Sequence, residues 1–341
     1  MKSTGPVAGL HSHRASSHRL RARGGGPPPG ATRRLLYSVL RIRLVEERIA
    51  ELYSEQEMRC PVHLCIGQEA CAAGVCEALE PEDVVMSGHR AHGHYLAKGG
   101  DLKRMLAEIY GKATGCCQGR GGSMHLIDQA VNFLGSTPIV TNIVPVATGV
   151  AWAAKLEDKQ YITVVFMGEG ATEEGVWHEC MNFSVLHKLP IIYVCENNLY
   201  SVYTPLEERQ PKRELTGIAS AHGLRVFAGD GNDAVAVYGM AREARQHVIG
   251  GKGPVFMELA TYRWREHCGP NYDNDLGYRT EEEFLAWKKK DPLNKLKGTG
   301  GLGLANMEKI INEEIDKAVE FAKESPFPEE DSLLEEDVYA P

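Results

Sequence analysis

Tyr161-Ile162-Thr163-Val164-Val165-Phe166-Met167-Gly168-Glu169-Gly170-Ala171 is the stretch that decides the fold. Its first seven residues form a continuous apolar and β-branched run, as expected of a strand buried on both faces. Pro190 to Cys195 and Pro254 to Leu259 repeat that pattern. Helical spacing fills Glu173 to Leu189 and Asp233 to Ile249 between them. Strand–helix–strand alternation predicts an α/β protein, a parallel sheet with helices on both faces. Ligands of such sheets sit beyond the carboxyl ends of the strands. The places to search are therefore just after Met167, Cys195 and Leu259.

Working outward, apolar residues recur at helical spacing from Arg34 to about Glu55, with charges on the other face. A second helix follows Gly67-Gln68-Glu69, and Asp101 is placed to cap a third over Leu102 to Tyr110. Residues 111–122 carry five glycines in twelve positions and no periodicity. A long loop of that kind in a compact domain points to a functional segment. A long polar helix is expected over Leu304 to Lys323. No internal repeat and no linker interrupts 35–330, so residues 35–341 read as one domain.

Residues 1–34 hold seven Lys and Arg and no acid, and subtracting them from the net −8 leaves −15 for the remainder. The acidic body argues against a nucleic-acid surface. The head carries Gly24 to Gly30, a run of glycines and prolines, and no apolar period, so it reads as a disordered basic extension. Two readings stay open: a plain extension of a cytoplasmic bacterial protein, or a transit peptide to the mitochondrial matrix. No run approaches the ~18 apolar residues of a membrane span. Nine cysteines with no secretory signal suit a reducing compartment. Cys60, Cys65, Cys71 and Cys76 are either a zinc site or small buried residues.

The chemistry concentrates at Gly168-Glu169-Gly170-Ala171. Glycines where a strand turns into a helix let backbone N–H groups approach a phosphate. Glu169 would repel a bare phosphate, and it makes sense there if a divalent cation lies between them. An asparagine of Glu196-Asn197-Asn198, at the next strand end, offers a second hard oxygen. The plain alternative for Gly-x-Gly is a tight turn.

Glu174-Gly175, Asn182-Phe183, Leu189-Pro190 and Glu196-Asn197-Asn198 follow the Gly168 turn in a fixed order. That order resembles the thiamine diphosphate fingerprint. More narrowly, the chain is similar to the alpha subunits of the decarboxylating component of 2-oxo acid dehydrogenase complexes and of acetoin dehydrogenases. Val62-His63-Leu64, Ile66 to Ala70, His89 to His94, Tyr110 to Gly115, Gly119 to His125, Asn132 to Gly135, Thr261 to Arg263 and Tyr278 to Thr280 extend the match over about residues 35–340. The resemblance implies a thiamine diphosphate-binding fold with Mg²⁺ held by Glu169, Asn198 and the carbonyl of Tyr200. It implies that Arg90, Arg263 and His267 face the diphosphate and that Gly168, Gly170 and Ala171 touch it through the backbone. Ile139 and Val140 match the apolar pair under the aminopyrimidine, and His63 and His267 match histidines at the reacting end. It further implies decarboxylation of a pyruvate-like 2-oxo acid, transfer of the acyl group to a lipoyl acyltransferase, and a beta subunit that completes the site in an α₂β₂ heterotetramer.

Four positions depart from the family's pattern. Glu169 stands where Asp is usual. Ser136 to Pro145 has lost the glycines of the corresponding segment. His89 replaces a common Tyr. Cys268 replaces the regulatory serine, so phosphorylation at that position is not expected. These changes cluster on the reactive side. The alternative functions they suggest are an acetoin-cleaving enzyme, a transferase or carboligase with a non-lipoyl acceptor, and a homologue without catalysis.

Overall fold

The computed structural model describes residues 28, 30–297 and 303–330. Most of the basic head lies outside those residues. Its last four, 31–34, form the first turn of a helix instead of belonging to the extension.

In chain order, α1 (Ala31–Leu52), α2 (Glu69–Cys76), β1 (Val84–Ser87), α3 (His92–Lys98), α4 (Leu102–Ile109) and β2 (Phe133–Ser136) come first. Next are α5 (Ile143–Leu156), β3 (Thr163–Gly168), α6 (Gly175–Leu186) and β4 (Ile191–Asn197), then a small hairpin of β5 (Tyr200–Ser201) and β6 (Thr204–Pro205). The rest comprises α7 (Leu206–Arg209), α8 (Leu215–Ala221), β7 (Arg225–Asp230), α9 (Ala234–Ile249), β8 (Val255–Ala260), α10 (Glu281–Lys288), α11 (Pro292–Lys297) and α12 (Leu304–Glu324).

Six strands form one parallel sheet in the order β2-β1-β3-β4-β8-β7. The continuous apolar runs are explained by two cores. Val164 and Phe166 face one, with α1, α2, α4, α9 and α12, while Val165 and Met167 face the other, with α5, α6 and α8. Alternate side chains of one strand thus enter different cores, and both must be apolar. Strand order reverses between β1 and β3, which opens a crevice at their carboxyl ends.

Several boundaries differ from expectation. The helix expected over Glu173 to Leu189 begins as a 3₁₀ turn at Glu169–Glu173, breaks at the extended Glu174, and runs as α6 only to Leu186. The C-terminal helix is amphipathic, burying Met307, Ile311, Ile315, Ala318 and Ala322. Asp101 caps α4 as expected, accepting from the N–H groups of Lys103 and Arg104. Cys65, Cys71 and Cys76 are buried, free thiols, and the four cysteines form no metal cluster among the described residues.

Candidate active site

The crevice is lined from three strand ends. Ser87 to Arg90 stand at the end of β1, Met167 to Ala171 at the end of β3, and Glu196, Asn198 and Tyr200 at the end of β4 and just beyond it. Ile139 and Val140 border it from the open side, 66% and 49% exposed.

At the β3 end, Gly168 leaves open space where a side chain would stand. Thr172 Oγ1 donates to the carbonyl of Glu169 at 2.8 Å and holds the turn. Glu169 is 1% exposed, and burial pushes its carboxyl pKa up, against the pull of Arg209. Arg209 Nη2 lies 2.6 Å from Glu169 Oε1.

At the β4 end, Asn198 Nδ2 donates to Gln68 Oε1 at 3.1 Å, and Asn198 Oδ1 accepts from the N–H of Tyr200 at 3.2 Å. Leu199 takes φ +74, a conformation costly for a leucine, and turns the chain just after Asn198. Glu169, Asn198 and Tyr200 thereby line one crevice. Their donors, a carboxylate, an amide oxygen and a main-chain carbonyl, are all hard oxygens, the set that suits Mg²⁺.

At the β1 end, Ser87 Oγ is 2.8 Å from His94 Nδ1, and His94 Nε2 is 3.1 Å from Glu196 Oε1. The His94 ring stacks on Phe166 at 3.8 Å. His94 and Glu196 lie in motifs quoted above, but the sequence assigned a role to none of these three groups. The available signal was Glu196, a carboxylate one residue before the paired asparagines at a buried strand end.

Three imidazoles meet beside Arg90. The ring centroids of His63 and His89 are 4.8 Å apart, those of His63 and His267 5.1 Å, and those of His89 and His267 5.3 Å. His89 and His267 line the crevice, whereas His63 packs behind them. Burial first, and then the Arg90 charge, pushes each imidazole down to about 3. At neutral pH the three are uncharged donors and acceptors, and Arg90 opposes any cation among them.

This arrangement dictates a pH dependence. Unfolded histidines take up protons near pH 6.5, whereas the folded trio does so only near 3, so stability falls as pH drops through that window. The melting temperature of the cofactor-free chain is expected to fall between pH 7.5 and pH 5, and to fall less in His89→Gln. Equal losses in the two proteins would refute the assignment of this slope to His89.

Arg263 is placed elsewhere. Its guanidinium is 1% exposed, donates to the carbonyls of Arg265 (2.7 Å) and Val202 (2.6 Å), and pairs with Asp273 at 3.3 Å. It braces the loop that carries His267 and does not line the crevice. Thr141, in the segment that has lost its glycines, takes φ +66, and its hydroxyl donates to the carbonyl of Ala171 at 3.1 Å. A β-branched residue is strained in that backbone region, and its hydrogen bond ties the segment to the glycine turn.

A parallel sheet whose strand ends join a glycine turn, a buried carboxylate and an amide oxygen defines an α/β enzyme that binds a phosphorylated ligand. The chain belongs to the dehydrogenase E1 component family, which residues 37–331 match. It is 38% identical over 308 residues to the alpha subunit of acetoin:2,6-dichlorophenolindophenol oxidoreductase of Bacillus subtilis, covering 88% of this chain and 91% of the relative. It is 36% identical over 303 residues to the pyruvate dehydrogenase E1 component subunit alpha of Zymomonas mobilis, covering 86% and 85%. The Rickettsia bellii protein of the same name is 34% identical over 302 residues, covering 86% and 92%. The family implies thiamine diphosphate as cofactor. No helix of the described residues is long and apolar enough to cross a membrane.

Proposed function

We propose that this chain is the alpha subunit of a thiamine diphosphate-dependent 2-oxo acid dehydrogenase, working with a beta subunit as an α₂β₂ heterotetramer. The observation that carries this reading is the convergence of Glu169, Asn198 and Tyr200 with the Gly168 turn on one crevice. Glu169, Asn198 and the Tyr200 carbonyl hold Mg²⁺, and the N–H groups of Gly168 to Ala171 hold the diphosphate, with Arg90 nearby. Ile139 and Val140 support the ring system. When bound, thiamine diphosphate supplies the carbanion chemistry that removes CO₂ from a 2-oxo acid. The uncharged His89 and His267 orient the substrate by hydrogen bonds at that end, with His63 packed behind them. A lipoyl acyltransferase would take up the remaining group, its lipoyl disulfide being reduced as that group is oxidised from the aldehyde to the acyl level. The chain acts as one cofactor domain that begins with α1, in the bacterial cytoplasm, or in the mitochondrial matrix if the residues before α1 are a transit peptide.

The beta subunit docks on the α5–α6 flank. There Val146 and Leu156 of α5 and Leu186 of α6 are 48%, 66% and 72% exposed. An apolar helix with exposed Val146 and Leu156 marks an interaction surface that gains when covered. The full chain alone is therefore expected to show no turnover, and co-expression with a beta subunit restores it. Substantial activity without beta would overturn the reading.

A second reading, cleavage of acetoin, is supported by the 38% identity to the Bacillus subtilis protein and by the reshaped Ser136 to Pro145 segment. An artificial-acceptor assay of the complex across pyruvate, branched 2-oxo acids and acetoin separates the two.

A further inference from the structure

Glu169 carries one methylene more than aspartate, so its carboxylate has an additional torsion to be fixed. Carboxylates that ligate metals are themselves held by outer partners, and Mg²⁺ tolerates little error in where its oxygens stand. Arg209, 40 residues along the chain and the last residue of α7, is such a partner. Its Nη2 donates to Glu169 Oε1 at 2.6 Å, its Nη1 donates to Glu173, and its Nε donates to the carbonyl of Thr204 at 3.1 Å. All three nitrogens of the planar guanidinium are thus engaged, a grip that lysine cannot reproduce. The adjacent Gln210 donates from Nε2 to Thr172 Oγ1 at 3.0 Å, so two consecutive side chains stitch α7 to the turn. A Cβ built on Gly170 would stand 3.5 Å from Arg209 Nη1, which puts the guanidinium over the turn itself.

We propose that Arg209 is the positioning residue of the cation site: it grips one oxygen of Glu169 and presents the other to the divalent ion. The grip compensates for the longer side chain. The charges agree with this role, since Glu169, Glu173 and a diphosphate together outweigh one divalent ion, and the guanidinium adds to the balance. The inference rests on the assignment of the ion to Glu169.

The test uses the full chain co-purified with its beta partner, saturated with thiamine diphosphate and titrated with Mn²⁺. Free Mn²⁺ is read by electron paramagnetic resonance, and each variant's melting temperature is recorded. Arg209→Gln is expected to weaken Mn²⁺ binding by about 10- to 100-fold, the usual cost of losing an outer-shell partner. Arg209→Lys keeps the charge without the fork and recovers part of the loss. In a Glu169→Asp background the shorter carboxylate no longer meets the guanidinium, so Arg209→Gln changes affinity by less than about 3-fold. Equal losses in both backgrounds would mark a merely structural role and overturn the proposal. Unchanged or tighter Mn²⁺ binding in Arg209→Gln would also overturn it. If the wild-type complex binds thiamine diphosphate but no Mn²⁺, the ion assignment itself fails.

Discussion

Replacing Glu169 by glutamine is expected to weaken Mg²⁺-dependent binding of thiamine diphosphate by at least about 100-fold, because even outer-shell partners of a metal are worth about 10- to 100-fold. The substitution keeps the side chain's shape in a site only 1% exposed, so the sheet survives. What it removes is the anionic oxygen at the end of β3, and with it half of the negative charge that Arg209 faces. Calorimetry of the complex with and without Mg²⁺ provides the measurement. A loss below about 5-fold, or an equal loss without Mg²⁺, would place the ion elsewhere, because a ligand to the metal cannot be worth less than its outer shell.

The second large effect concerns stability. Asp273 is 2% exposed and accepts from the Tyr278 hydroxyl at 2.6 Å, from Arg263 at 3.3 Å and from Arg279. Arg263 and Arg279 are themselves 1% and 4% exposed. Asp273→Ala leaves two guanidiniums enclosed without their shared anion, and breaking a buried pair in this way costs about 3–5 kcal/mol. The urea midpoint reports the change if the slope is unaltered. A loss under about 1 kcal/mol would show that the carbonyl partners alone suffice to satisfy both cations. Because the same loop carries His267, cofactor affinity is expected to fall with stability.

The central strands were legible because both their faces are covered. With β3 and β4 enclosed between two cores, their middles are almost wholly apolar, and the strand ends at Gly168 and Asn197 stand out. Their neighbours carry weaker signals. β1 and β2 have four residues each, and β2 includes Gly135. β7, like β2, is an edge strand; it is half exposed and interrupted by Gly229, so no continuous run marks it. At the site, Glu169 and Asn198 were found because they sit where strands stop. Arg263 follows β8, and only the family resemblance implied that it faces the diphosphate. The structure turns it away because Asp273, ten residues on, folds back as a nearer anion. Arg209 gave no signal at all. Its position depends on a hairpin and a four-residue helix that carry it back over β3, and such geometry has no periodicity to read.

The flank of α5 and α6 has a consequence for supply. A copy made in excess of its partner shows Val146, Leu156 and Leu186 to every other protein it meets, and exposed apolar surface of this kind drives association with the wrong chains. Cells that use this subunit therefore gain by translating it together with the partner that covers this flank. Overproduction of one alone is expected to end in aggregates or in proteolysis rather than in a reserve of half-enzymes.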